Sequence, residues 1–288
     1  MTGARGAVFA RRWARAVLGV CACVTSHAAA EAPDAAQAEL PPPRILPWTE
    51  PWSEERPRSF VAARIDAGFP FAQARLSGGY GKPHYTWGGV ELGPLASPAA
   101  VAGFAGVRFE HPVIDIRSSL LYSVALSRSF LEPRNSYDRR DVDDRSGESA
   151  RYPAWDSELR LTVPVAFGAV ISESELVWIP EQEGRFVYLD LLRVVAAPPW
   201  VARQRLGYEV PSSSVRGLRF APVGEVVWLP ERDDALVVRA GLLIRFWLFR
   251  TLELRVDVLP VVASPDSLGA LGGEPLRVAL RWQWASGH

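Results

Sequence analysis

The chain has 288 residues, of which 32 are basic and 32 acidic, so its formal net charge is zero. Hydrophobic residues make up 48% and charged residues 22%, a composition too apolar for a disordered chain. The balanced charge also argues against the strongly basic composition typical of nucleic-acid-binding proteins, so we expect no nucleic-acid partner.

The first 30 residues have the three parts of a secretory signal peptide. An arginine-rich start precedes the apolar run 16–24, and the alanines 28–30 form a small-residue cleavage pattern. The apolar run is too short to cross a bilayer as a helix, which needs about 20 residues. We therefore expect cleavage after Ala30. An uncleaved helical anchor and a lipoprotein-type cleavage that lipidates Cys23 stay open as alternatives.

Cleavage would remove four arginines and both cysteines, Cys21 and Cys23, leaving 28 basic and 32 acidic residues. A mature chain without cysteine excludes disulfides and cysteine-ligated metal sites. The acidic run 141–144 does not fit a calcium-binding EF-hand, because Arg145 occupies a position that needs an acidic or amide side chain. We expect no metal and no cofactor.

Residues 31–58 hold seven of the 24 prolines. Proline fixes φ and removes a hydrogen-bond donor, so this segment is predicted to be an extended periplasmic tether. Its Trp48 and Trp52 are expected to pack on the folded body, and a periplasmic partner for the segment is the alternative.

From residue 59 onward apolar residues alternate with small or polar ones. Between residues 113 and 130 the even-numbered side is mostly apolar, as at Ile116 and Leu120, although it includes Arg128; the odd-numbered side is small, polar or charged. Successive side chains of a strand point to opposite faces, so the pattern predicts a β-strand and not a helix.

The same alternation is clear in four other segments, 155–167, 236–248, 252–258 and 276–284. Weaker candidates are 59–68, 85–95, 101–110, 185–195 and 213–229. Residues 78–82, rich in glycine, are interpreted as a turn. The sequence therefore predicts an all-β chain of about ten strands, within a range of eight to twelve.

A membrane β-barrel explains this pattern better than a soluble β-sandwich. Several strands are long enough for the roughly 9–11 residues that a tilted membrane strand needs, and their polar faces carry few lysines. Aromatic residues near strand ends suggest girdles at the two lipid interfaces. The predicted girdle consists of Trp87, Trp155, Trp178, Trp228, Trp282 and Trp284.

The last strand, Leu276 to Trp284, alternates and ends on an aromatic residue, although four residues follow it. With the signal peptide and residues 59–288, it resembles bacterial outer-membrane β-barrel proteins as an architectural class. The resemblance implies an antiparallel up-and-down transmembrane barrel in the outer membrane of a Gram-negative cell envelope. It also implies contact with outer-membrane lipid and with barrel assembly machinery through this strand.

In such a barrel the polar faces line the lumen. Buried charges must be paired, so we expect arginine–carboxylate networks that largely fill it. The predicted lumen network consists of Asp115, Arg117, Glu158, Arg160, Arg239, Arg245, Glu253, Arg255, Asp257, Arg277 and Arg281. The charged segment 131–154 is predicted to be a surface loop, since long barrel loops face outward; the segment 196–212 is then assigned to the periplasmic side.

Catalytic signals are few. No serine-centred elbow is present, and among the histidines only His84 is a candidate base. We therefore predict no catalytic residues and a non-enzymatic barrel acting as scaffold, surface binder or narrow pore. A barrel enzyme acting on lipid or peptide, and a soluble periplasmic β-sandwich that binds a ligand, are the two alternatives.

Overall fold

The computed structural model describes residues 51–143, 149–269 and 272–287. The predicted signal peptide with its cleavage site and Cys23, Trp48, and most of the predicted tether lie outside the described residues. In the described part, no helix is both long and apolar enough to cross a membrane.

The described residues form fifteen strands and one short helix, α1 (Arg139–Asp143). The strands are β1 (Arg58–Phe69), β2 (Ala72–Lys82), β3 (Thr86–Ala96), β4 (Ala100–Glu110), β5 (Ile114–Ser129), β6 (Ser149–Val165), β7 (Gly168–Trp178), β8 (Val187–Leu189), β9 (Val194–Ala196), β10 (Trp200–Pro211), β11 (Leu218–Leu229), β12 (Ala235–Phe249), β13 (Leu252–Leu259), β14 (Val261–Ala263) and β15 (Glu274–Ala285).

Twelve of these strands, all except β8, β9 and β14, form one closed ring. Each pairs antiparallel with the next ring strand along the chain, and β15 closes the circle on β1, where Ala285 opposes Ala62. Closure leaves no unpaired sheet edge, so the wall can satisfy its backbone groups internally. This is the architecture of bacterial outer-membrane barrels. The predicted all-β antiparallel up-and-down barrel is confirmed, and the two-sheet sandwich is excluded.

The predicted strand number of about ten is too low. Strands β2, β7 and β10 were missed, and the segment 185–195, counted as a wall strand, forms the separate hairpin β8–β9. The glycine-rich segment 78–82 belongs to β2 and is not a turn. Two of the missed strands carry polar residues on their outer face, Ser174 on β7 and Gln204 on β10, which obscures the alternation.

The two ends of the barrel differ in the length of their connections. At the short-turn end, strands are joined by segments 83–85, 111–113, 166–167, 212–217 and 250–251. At the long-loop end, the longest connections are 130–148, 179–199 and 260–273. The charged segment predicted over 131–154 lies at the long-loop end, but its last six residues begin β6. The assignment of 196–212 to the periplasmic side as a connection is wrong, because most of this segment is strand β10.

The outer face of the ring is apolar. On β4, for example, Val101, Val107 and Phe109 are exposed, whereas the alternate residues Ala102 and Phe104 are buried. Large apolar side chains are exposed in this way on nearly every ring strand. A wall that is apolar outside and charged inside is suited to lipid on the outside and solute on the inside.

Tryptophans form a row on the outer face near the long-loop end. Trp155 opposes Trp178, which in turn opposes Trp200 on the next strand. The rings of Trp178 and Trp200 are 6.5 Å apart between centroids. Trp228 follows on the neighbouring strand, opposite Ala202. Trp200, assigned from sequence to no strand, thus belongs with the predicted girdle.

At the opposite, short-turn end, Trp282 and Trp284 are both exposed on the outer face of β15. The prediction for Trp87 is wrong, since only 4% of this residue is exposed and its Nε1 donates a 2.6 Å hydrogen bond to Glu110 inside the barrel. Trp87 is two and four positions from Gly89 and the buried Glu91 on the inward side of β3. Because the glycines of β3 have no side chain, the sequence does not show which face of this strand points inward.

The hairpin β8–β9 folds into the long-loop end of the barrel. All six residues of its two strands are buried. Val187 and Val194 pack in one apolar cluster with inward residues of the wall, among them Val177, Val201 and Val227. The continuous apolar sequence of this segment therefore reflects burial on both faces of the hairpin. The segment was predicted to be a wall strand because its apolar residues also fit one face of an alternating strand.

Candidate functional site

The lumen is lined by arginines and carboxylates. All eleven residues of the predicted lumen network lie at inward positions of β5, β6, β12, β13 and β15. Four ion pairs connect members of the set directly: Arg117 with Glu158 at 3.0 Å, Arg255 with Glu253 at 3.3 Å, Arg277 with Asp257 at 3.4 Å, and Arg281 with Glu253 at 3.8 Å.

Several of the predicted residues, some of them already paired within the set, also pair with side chains that the sequence analysis did not select. These partners are Asp66, Arg108, Asp156, Glu173, Glu209 and Glu225. Glu173 and Glu209 lie on β7 and β10, the unassigned strands, so no signal pointed to them. Asp66 and Arg108 share the inward side of strands that were assigned, and extending the alternation would have found them.

Arg128 occupies a position that the alternation assigned to the outer face, yet it is buried inside. The pairing of β5 with β6 shifts between Val124 and Ser129, and this irregularity reverses the side to which later residues point. Arg128 Nη1 donates to Asp190 at 3.2 Å, and its guanidinium lies 4.1 Å from the ring centre of Tyr188. Burial, with the Asp190 carboxylate, raises the pKa of Tyr188 to about 12.

The loops of the long-loop end pack into a cap. Arg232 and Asp266 form a buried two-bond ion pair at 2.7 and 2.8 Å. Arg232 also donates to the main-chain oxygen of Val195 in the hairpin, and Asp266 accepts from the main-chain nitrogen of Tyr137. A single ion pair thus connects three loops and the hairpin.

Around α1 the charges pair with each other. Asp141 accepts from Arg134, and Asp143 pairs with Arg139. In the parts of the chain that the structure describes, no three His, Cys, Asp or Glu side chains are grouped so that they could hold a metal ion.

Two cavities lie along the lumen. The outer cavity, of about 540 Å³, reaches the long-loop end, and the inner cavity, of about 140 Å³, lies toward the short-turn end. Seven charged residues line both cavities and therefore mark the boundary between them. They are Asp115 and the six arginines Arg64, Arg108, Arg160, Arg245, Arg255 and Arg281, called the arginine ring below.

Members of the arginine ring differ in how closely they are neutralised. Arg108 and Arg281 form short ion pairs, at 2.7 Å with Asp115 and at 2.6 Å with Asp66. The remaining four pair at 3.3 to 3.8 Å, with Arg245 the most distant from its carboxylate. Buried Nε atoms of Arg64 and Arg255 have no hydrogen-bond partner among the described residues. At the boundary itself the lining is six arginines to one carboxylate, although each arginine has a carboxylate within 4.0 Å.

The end of the predicted tether packs against the barrel at the short-turn end. Trp52 is 2% exposed, donates from Nε1 to Gln283 at 3.1 Å, and packs with Phe60, Trp87 and Ala285. The predicted packing of Trp52 on the folded body is what the structure contains. Lys82 donates to the main-chain oxygen of Ser53 and ties the same segment to β2.

His84 lies in the turn beneath Trp52, with the rings 4.8 Å apart between centroids. One ring nitrogen is 3.0 Å from the main-chain oxygen of Trp284, and the other is 3.4 Å from Arg64. Burial lowers the pKa of His84 to about 3, and the Arg64 guanidinium acts in the same direction. Both nitrogens are engaged in structural contacts, so His84 is not placed as a general base.

No family model matches the chain, and no curated protein matches it. Among solved structures, it is similar to the KdgM porin in complex with disordered oligogalacturonate, at 9% identity and a TM-score of 0.40, covering 80% of this chain and 99% of that one. It is similar to the NanC porin at 8% identity and a TM-score of 0.36, covering 80% and 98%. CdiB from Acinetobacter baumannii gives 8% and 0.43, and this chain spans 60% of its length.

Proposed function

We propose that the protein is an outer-membrane pore of narrow bore that favours small anions. The closed ring and its apolar outer face support a location in a lipid bilayer. Outer-membrane lipid is then the partner of the outer face, and β15 is the strand that barrel assembly machinery would bind. In this arrangement the long-loop end faces the exterior, and the short-turn end, with Trp52, faces the periplasm.

The observation that carries the proposal is the arginine ring. Six arginines and one aspartate line the boundary between the two cavities, so an ion that crosses this boundary passes close to their side chains. Arginine keeps its charge under all ordinary conditions, so the positive charges of the ring do not depend on pH. A fixed cationic ring lowers the barrier for anions and raises it for cations.

The inner cavity is too small to be part of a wide channel. Its volume is about 140 Å³, and it is lined by inward side chains of the wall together with Pro51 and Trp52. Conductance is therefore expected in small steps. Scaffold and surface-binding roles make no use of a cationic boundary between two cavities, so the pore is the function that the lumen supports best.

Planar-bilayer recording with the purified full chain tests the proposal. Under a salt gradient, the reversal potential should have the sign of an anion-preferring pore. The double variant Arg245→Gln/Arg255→Gln removes two loosely paired ring charges and should move that potential toward zero. Arg185→Gln, at an exposed loop position, is the matched control and should leave it unchanged. Cation preference, or silence from protein that is folded by its mobility on unheated gels, would contradict the proposal.

A further inference from the structure

A row of inward positions crosses four neighbouring strands in the outer cavity. It consists of Arg75 on β2, Gly93 on β3, Phe104 on β4 and Leu121 on β5, with Gly93 opposite Phe104 and Phe104 opposite Leu121. A Cβ on Gly93 would lie 1.9 Å from the main-chain oxygen of Ala74, so no side chain fits there. The gap lets the Arg75 guanidinium extend over Gly93 to within 6.0 Å of the Phe104 ring centre.

Arg75 is incompletely neutralised. The carboxylate paired with it, Glu91, is 4.0 Å away and is shared with Arg108 at 3.5 Å. Arg75 Nη2 donates to Gln73 at 2.8 Å, but its buried Nε has no hydrogen-bond partner in the described part of the chain. The Nε atom is buried, but the Arg75 side chain is 15% exposed and a guanidinium carries four N–H groups on its two Nη atoms, so these atoms have donors to offer a ligand.

Two more arginines in the same cavity have a similar arrangement. Arg117 pairs with Asp156 at 2.6 Å, and Arg203 pairs with Glu175 at 2.5 Å. The Nε atoms of both are buried and have no hydrogen-bond partner among the described residues. The carboxylates thus hold these guanidinium groups in place, and the donors that remain for a ligand are Nη hydrogens on side chains that are 13% and 16% exposed.

The wall beside these donors is apolar. Phe104 and Leu95 are 7% and 6% exposed and line the outer cavity together with Leu121. The cavity volume of about 540 Å³ is in the range of small-molecule sites, roughly 300–1,000 Å³. Fixed guanidinium donors beside a flat apolar surface match a ligand that has one anionic end and one apolar end.

We propose that the outer cavity is a binding site for a small organic anion with an aromatic ring. Its carboxylate lies on Arg75, and its ring packs against Phe104, Leu95 and Leu121. A bare inorganic anion would leave the apolar wall unused, and a neutral aromatic molecule would leave the arginine donors unpaired. The proposal deepens the proposed function and rests on it for the exposure of this cavity to solute.

Isothermal titration calorimetry on the full chain in detergent tests the site with three probes. Benzoate carries both features, benzyl alcohol the ring alone, and acetate the carboxylate alone. Benzoate should bind at least about tenfold more tightly than either. Equal binding of benzyl alcohol would overturn the role of the arginines, and equal binding of acetate would overturn the role of the apolar wall.

Variants locate the site. Arg75→Gln should weaken benzoate binding by at least about tenfold, because it removes a charged donor. Arg219→Gln, in the inner cavity and absent from the outer lining, should leave benzoate affinity unchanged. Arg75→Lys keeps the charge without the planar fork and should be intermediate. Undiminished binding to a folded Arg75→Gln protein would overturn the assignment, and the three-probe comparison on the unaltered chain decides the case if that variant fails to fold.

The outcomes separate this site from the pore. Benzoate binding by a protein that is silent in bilayers would defeat the pore and keep the site. Anion conductance without benzoate binding would defeat the site and keep the pore.

Discussion

At the long-loop end, the two sides of the barrel wall differ on the inside although both are built from alternating strands. Along β6, β7, β10, β11 and β12, the covered side, the wall beneath the hairpin β8–β9 is apolar, as at Val177, Val201 and Val227. Along β1–β5, the open side, inward positions such as Arg75 and Phe104 face the outer cavity.

The difference teaches that an inward position has no fixed polarity. Its chemistry follows from what lies across from it, either a packed hairpin or a solute-filled space. Outward positions are mostly apolar on both sides, apart from polar residues such as Ser174 on β7 and Gln204 on β10, because lipid surrounds the barrel. The predictions below test this contrast, beginning with the largest expected effect.

A charge beneath the hairpin should have the greatest effect. Val201 is fully buried against it, so Val201→Asp leaves a carboxylate without a partner and should lower the free energy of unfolding by roughly 3–5 kcal/mol. Gln73→Asp, on the open side beside Arg75, should cost far less. Urea unfolding followed by tryptophan fluorescence measures both. Similar losses would mean that the two sides do not differ as described.

Outward substitutions should cost the same on both sides. Leu242 on β12 and Leu120 on β5 are both exposed on the outer face. Arginine at either should lower stability by about 2–4 kcal/mol at the bilayer midplane. Refolding yields into lipid vesicles check this. The neighbouring residue Leu243 points inward, is 3% exposed and packs with Ile171 and Leu259, so arginine at this position should also be damaging.

The short-turn end should respond to mild acid. His84 is kept neutral in the folded chain, while an unfolded histidine titrates near about 6.5. As pH falls, the unfolded state therefore binds the proton first. The stability that neutral His84 contributes to the folded state is fully present above about pH 6.5 and decreases as pH falls toward 3. Arg64 on β1 and Arg108 on β4 oppose the proton, Glu110 on β4 attracts it, and the main-chain oxygen of Trp284 accepts from the ring.

Tryptophan fluorescence between pH 7 and pH 5 should report a loosening of Trp52 over this range. His84→Asn is the control, because asparagine tolerates the positive φ of 59° at this position. A pH response that is the same in both proteins would show that another group is responsible.

The smallest effect is expected in the cap. Arg139 and Asp143 pair at 3.3 Å on α1, with side chains 66% and 42% exposed. Exposed pairs of this spacing contribute about 0.3–0.5 kcal/mol, so Arg139→Gln should change the free energy of unfolding by no more than that. Thermal unfolding in low salt is the sensitive measurement. A large loss would show that this loop, and not the hairpin, holds the covered side together.

Local alternation was enough to predict much of the wall. Nine of the twelve ring strands overlap segments selected from sequence, and the eleven selected lumen residues all lie at inward positions. Both predictions follow from the period of two along a strand, which is a local pattern in the sequence. Strands with polar outer residues, such as Gln204 on β10, escaped because the lipid face there does not look apolar.

By itself, the sequence determined which side chains share a face of a strand, and hence the barrel class. Only the tertiary structure decided which faces meet. Asp66 and Arg281 are 215 residues apart and pair because β15 closes on β1. Trp87 points inward, Arg128 lies inside the barrel because the strand pairing shifts before it, and the hairpin β8–β9 packs within the barrel. These features depend on closure, register and loop packing, and such contacts between distant segments leave no periodic trace in the sequence of either one.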